Sequence, residues 1–166
     1  MEICTLPHFG LLDASALEAY YQVDITFDGK QIEIDLNFEH QSIEPKRLET
    51  VMHFIENIRI HDINNKGYIA KDYYQKDGET VKLYLKHHLE ELGDTELAAL
   101  IDNRNKAVEP ELQLLNKLHL IRVGLYPDCE KQFVIFDYSL GREMSNYLLV
   151  INTDENGNLD FMTMES

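Results

Sequence analysis

Basic residues are scarce in this chain of 166 residues: fifteen Lys and Arg stand against thirty Asp and Glu, for a formal net charge of −15. A phosphate backbone is bound through a basic footprint, so bare nucleic acid is excluded as the expected ligand. Anionic membrane surfaces are disfavoured for the same reason. Cysteine is nearly absent. Cys4 and Cys129 stand far apart in no C-x-x-C arrangement, which argues against a disulfide scaffold or zinc knuckle and for reduced thiols in a cytoplasmic protein. Long apolar runs are missing too, as no window reaches the ~18 residues of a membrane span. The opening MEICTLPHFGLLDAS carries Glu2 where a signal peptide has Lys or Arg, and Pro7, His8 and Asp13 interrupt it, so export by a standard leader is not expected. Nor is there a Gly/Ser-rich linker, a low-complexity tract or an internal repeat. With 44% apolar residues, residues 1–166 read as one α+β domain with a core large enough to need no staple.

Catalytic signatures are absent as well. There is no G-x-S-x-G, no P-loop, no G-x-G-x-x-G after a strand, and neither cysteine has the flanks of a catalytic thiol. No motif asks for a cofactor. This leaves an enzyme open but removes the classes that announce themselves.

What is present is a change of period along the chain. Tyr20 to Phe27 and Gln31 to Phe38 alternate strictly around Asp28-Gly29, the pattern of two half-buried strands joined by a tight turn. Ahead of them, Asp13 or Ser15 is positioned to cap a short helix through Ala14, Leu17, Glu18 and Ala19. After Pro45, apolar residues recur at three- and four-residue steps: Leu48, Val51, Met52, Ile55 and Ile58 mark one helix to about Ile60. Ile63 to Gln75, weakened by Gly67, predicts a second and Glu79 to Leu92 a third, with shorter pieces at Thr95 to Asp102 and Glu109 to Leu118. From Leu118 the period returns to two. Leu118–Tyr126, Gln132–Tyr138, Asn146–Thr153 and Asn158–Met164 predict a four-stranded antiparallel meander. Phe133 to Phe136 and Tyr147 to Ile151 are apolar on both faces, which predicts central strands buried above and below. The expected architecture is an N-terminal hairpin, a central block of three to five helices on one side, and the meander, all strands sharing one mixed or antiparallel sheet.

The acidity is unevenly spread. Residues 1–44 carry −8 and residues 128–166 carry −6, while the helical middle carries −1. On the hairpin, alternation sets Asp24, Glu33 and Asp35 opposite the apolar face. An acidic, solvent-facing sheet surface is expected, with Asp24, Glu33, Asp35 and Glu39 as candidate partner-binding residues. Solubility and protection of a sheet edge account for such charges. A complementary surface for a basic protein accounts for them equally, because clustered carboxylates speed encounter and select the partner.

Other constellations are weaker. Glu49, His53 and Glu56 share one face of the first long helix, but ligands from a single helix do not close a metal site, and a solvated face is the simpler reading. His87 and His88 point about 100° apart on a helix; His88 falls in the apolar stripe as a packed histidine, and His87 can pair with Glu91. Asp154 to Asp160 with Glu165 echoes a calcium loop, yet its glycine is Gly157 and Leu159 stands at the turn position. A type I′ hairpin turn at Asn156-Gly157 explains the same letters. No metal site is expected.

The two ends together, LPHFGLLDASALEAYYQVDITFDGKQIEIDLNFE and FVIFDYSLGREMSNYLLVINTDENGNLDFMTMES, resemble the bacterial domain-of-unknown-function family numbered two thousand and four. The resemblance covers most of the chain and implies a small cytoplasmic α/β protein without an assigned activity. Some relatives are regarded as immunity proteins that neutralise toxins by binding them. It transfers no catalytic residue. Two functions are therefore expected in competition. One is a non-enzymatic binding module, such as an immunity protein, for a basic partner such as a toxin domain. The other is a small-molecule or metal-dependent enzyme with a Tyr- and His-lined pocket where helices meet sheet, with His53 or His88 in it. Self-association into a homo-oligomer is a third reading.

Overall fold

The computed structural model describes residues 1–166. Strand β1 (Ile3–Leu6) turns back onto β2 (Gly10–Asp13) through Pro7, His8 and Phe9, with His8 and Gly10 at positive φ, and the two form a small antiparallel sheet of their own, so the strands do not all share one sheet as expected. The helix expected through Ala14 to Ala19 does not form. Asp13 spends its carboxylate elsewhere: Oδ1 accepts from the Ser15 hydroxyl and N–H and from the Glu2 N–H, closing the end of this sheet. Those donors, Ser15 first, hold the Asp13 carboxyl down at about 2. Residue 17 then bonds the Gln41 carbonyl rather than a helical partner.

Strands β3 (Tyr20–Phe27) and β4 (Lys30–Asn37) form the hairpin. Asp28 at φ 49° and Gly29 at φ 75° supply the two left-handed residues of a type I′ turn, whose twist matches that of the strands. Five helices follow: α1 (Pro45–Glu56), α2 (Ile58–Tyr74), α3 (Thr80–Glu91), α4 (Asp94–Leu100) and α5 (Pro110–Leu115). The first boundary falls at Asn57, where φ −111° and ψ 19° leave the helical region and Nδ2 donates to the His53 carbonyl. The first helix thus stops short of Ile60, and α2 starts earlier than the apolar spacing indicates, running unbroken through Gly67.

Strands β5 (His119–Leu125), β6 (Val134–Ser139), β7 (Leu148–Thr153) and β8 (Leu159–Glu165) pair antiparallel in sequence order. β4 lies parallel to β5, so hairpin and meander join in one mixed sheet of six strands, ordered β3-β4-β5-β6-β7-β8. A parallel pair needs a long crossover. The helical block is that crossover. Between β7 and β8 only Gly157 has positive φ, so the turn is not type I′. The Asp154 carboxylate accepts from the N–H groups of Asn156 and Asn158, and the Gly157 N–H bonds the Asp154 carbonyl, giving a type I turn closed by a left-handed glycine.

Alternation sends Ile34, Val123, Phe136 and Ile151 to one face, where they meet Val51, Phe54, Tyr84 and Leu85 of the helices in a core of 29 buried residues. β6 and β7 are interior strands, as their composition implies. On the opposite face Ile121 of β5 and Val150 of β7 are also buried, yet lie outside the helix-packed core.

Candidate functional site

The sheet face opposite the helix-packed core carries one transverse row of charge. Asp24 of β3 pairs with Glu33 of β4, Glu33 with Arg122 of β5, and Arg122 with Asp137 of β6. Two carboxylates therefore stand directly opposite each other at the sheet edge, an arrangement that opposes pairing. Arg122 lies back over Gly124, where a Cβ would meet its guanidinium nitrogens. It grips Asp35 in a bidentate pair at 2.6 and 2.9 Å, reaches Asp137 at 3.2 Å, and stands 3.7 Å from Glu33. The guanidinium also donates to the Tyr126 hydroxyl, and Asn37 donates to Asp35. One cation thus serves three carboxylates, and Asp24 has none.

Burial works against the charge of Arg122, but the hydrogen bonds to Asp35 and Tyr126 and the nearby carboxylates lift its pKa above the ordinary value. Asp137 feels the reverse. Burial raises its carboxyl, Arg122 pulls it back, and Asp35 pushes it up again. At the edge, partial desolvation and the negative field of Asp35 and Glu33 raise the Tyr20 phenol, which is half exposed and donates to Gln22.

The four acids expected to form a partner surface separate into distinct roles. Asp24 is exposed and Glu33 is partly so, with Gln22 donating to Glu33. Asp35 is a correction: it is fully buried, because Arg122 folds over it, and it presents no carboxylate to solvent. Glu39 is exposed but lies past the end of β4, where its N–H is held by Asp128 beside His40. Arg122 and Asp137, the centre of the row, escaped the sequence reading. Their signal was a single charge interrupting each of two apolar strands, HLIRVGL and VIFDYS.

The histidines join no carboxylates or thiols in a ligand set. His53 is exposed on α1 against Asn57, and His88 is buried with Nδ1 on the Tyr84 carbonyl and Nε2 without a partner. His87 packs on Tyr147 rather than pairing with Glu91. No three His, Cys, Asp or Glu side chains gather in a metal-ligating group. Where helices do meet sheet, a cavity of about 360 Å³ opens between α2, α5 and the strands, lined by Lys66, Ile69, Leu112, Leu115, Leu118 and Tyr138 among others. Neither His53 nor His88 borders it.

No family model, curated protein or solved structure matches the chain.

Proposed function

We propose that this protein is a non-enzymatic binding module whose open sheet face receives a basic protein partner. The observation that carries the reading is the Asp24–Glu33–Arg122–Asp137 row, with Asp35 beneath it, in which one guanidinium faces an excess of carboxylates. A cationic surface brought against Asp24 and Glu33 relieves a repulsion that the free protein has to tolerate. The surroundings suit an interface. Edge strand β3 has no buried residue along its eight positions, and exposed Tyr20 stands at its end. An unpaired strand offers main-chain donors and acceptors to an incoming one, and tyrosine is favoured at interface centres. The specific form we favour, drawn from the resemblance of the chain's ends, is an immunity protein that covers the basic site of a toxin domain with carboxylates standing in for phosphate.

The test is affinity capture from the native host at low salt, repeated with the Asp24→Lys/Glu33→Lys double variant. A basic protein retained by the wild type, released by salt and lost in the variant is the expected result, and co-expression should then relieve that protein's toxicity. Retention of no protein, equal retention by the variant, or a lone dimer of the chain itself in sedimentation overturns the reading.

A further inference from the structure

The cavity between α2 and α5 is separate from the open sheet face, and its chemistry is different. Seven of its nine lining residues are hydrophobic. Its volume of about 360 Å³ falls in the range of small-molecule sites. The chain supplies a polar end to this apolar space. Asp62, on the inward side of α2 and 2% exposed, accepts from the Tyr138 hydroxyl at 2.8 Å and from Lys66 Nζ at 2.7 Å. Lys66 and Tyr138, the two donors, are themselves cavity-lining residues. Asp62 thereby bridges two walls, one from α2 and one from β6.

The donor and acceptor inventory selects the ligand. Asp62 has its two oxygens engaged, so it offers little to a cation. The Tyr138 hydroxyl already spends its one O–H donor on Asp62. Burial and the adjacent Asp62 raise that phenol, so it stays neutral. Lys66 spends one of three N–H donors on Asp62, and its side chain is half exposed. Next to this trio, the buried side-chain amide of Asn65 faces the Tyr138 hydroxyl and is directed at the phenol rather than at the cavity. The unspent capacity is donor capacity on a cation, set beside the apolar walls of Ile69, Leu112, Leu115 and Leu118. Tyr74, largely exposed, stands at the rim.

We propose that this cavity is a binding site for a small aromatic or alicyclic acid, its ring held between α2 and α5 and its anionic group paired with Lys66. Asp62, itself held by Tyr138, draws the Lys66 ammonium to the polar end of the cavity. The binding is independent of the partner face, since no residue of the charged row borders the cavity.

Two fluorescent probes of like shape test this: anionic anilinonaphthalene sulfonate and neutral phenylnaphthylamine. The folded wild type is expected to take up one sulfonate probe per chain, with about tenfold weaker uptake of the neutral one, as a single charge-assisted contact implies. Ala70→Trp, which fills the space from α2, should abolish binding. Lys66→Met should erase the preference between the probes, and Lys66→Arg should retain it. Amide NMR shifts on the wild type, which need no variant, should map to residues 66–74 and 112–118. Equal affinity for both probes, shifts confined elsewhere, or binding that survives in folded Ala70→Trp would overturn the proposal.

Discussion

On the helix-covered face of the sheet, Ile34, Val123, Phe136 and Ile151 form one row across β4 to β7, and none has any exposure. One residue along each strand, the row on the opposite face is Glu33, Arg122, Asp137 and Val150. The strands are the same and the alternation is the same, but the two rows are held together by different forces. The first gains from removing apolar surface from water, a non-directional term of roughly 25 cal/mol per Å². The second is held by ion pairs whose attraction is largely offset by desolvation, so its net contribution to stability is small and its cost when broken is large. What the polar face gains instead is a defined charge pattern. The apolar row tolerates little change in shape, whereas the charged row is sensitive to substitution chiefly where a charge is buried.

Breaking that contrast should be easiest at its centre. Arg122→Met leaves Asp35 and Asp137 without their cation and should cost about 3–5 kcal/mol in urea unfolding at neutral pH. Burial already raises the Asp137 carboxyl, and the variant removes the guanidinium that restrains it. Part of the loss should therefore return as the pH falls toward the carboxylate range. An unchanged unfolding midpoint would mean that the row is not a buried electrostatic unit.

Truncations on adjacent residues of one strand separate the two faces directly. Phe136→Ala, in the core, should destabilise by about 3–5 kcal/mol, and Ile135→Ala, half-buried on the open face, by about 1 kcal/mol. Equal losses would show that a second layer covers the open face.

Acidification should weaken the helical side. Burial lowers the pKa of His88 and of His61, which is stacked on Phe54. Each therefore resists protonation when folded, and its contribution is fully present above the unfolded value near 6.5 and is lost as the pH falls through the folded value. Asp137, raised by burial, and His40, raised by Asp128, act in the opposite sense. The denaturation midpoint is expected to drop between about pH 7 and pH 5, and to drop less in His88→Leu. A pH-independent midpoint in both proteins would contradict this.

The smallest effect on stability belongs to the edge. Asp24→Asn removes one of two opposed carboxylates and should change unfolding free energy by no more than about 0.5 kcal/mol, in the stabilising direction. A clear destabilisation would show that Asp24 supports the fold.

Much of the fold is legible in local pattern. The hairpin turn at Asp28-Gly29 follows from two residues that accept positive φ, and α1 follows from Pro45 and a three-and-four spacing. Two misreadings have a common cause. The residue types of Asp13 and Asn156 favour local roles, a helix cap and a type I′ turn. In the fold, the Asp13 carboxylate is taken by a backbone N–H eleven residues away, and at the second turn Asp154 holds the loop so that Gly157 alone turns left. The candidate site was half legible. Asp24 and Glu33 show themselves by alternation, but Arg122 and Asp137 join them only because β4 lies parallel to β5, a pairing between residues almost ninety positions apart.

The amino-acid sequence by itself determined the hairpin, the larger helices, the four C-terminal strands and the acidic character of the strands, because these depend on residue type and on periods of two and 3.6; the β1–β2 sheet shows neither period clearly enough to be read. The tertiary structure decided which acids are surface and which are buried. It placed the guanidinium of Arg122 over Asp35, left Asp24 opposite Glu33 without a cation, and joined Lys66 to Tyr138 through Asp62 across an apolar cavity. Ion pairing and desolvation depend on distances between residues remote in the chain, and only the packed sheet and its helical crossover set those distances.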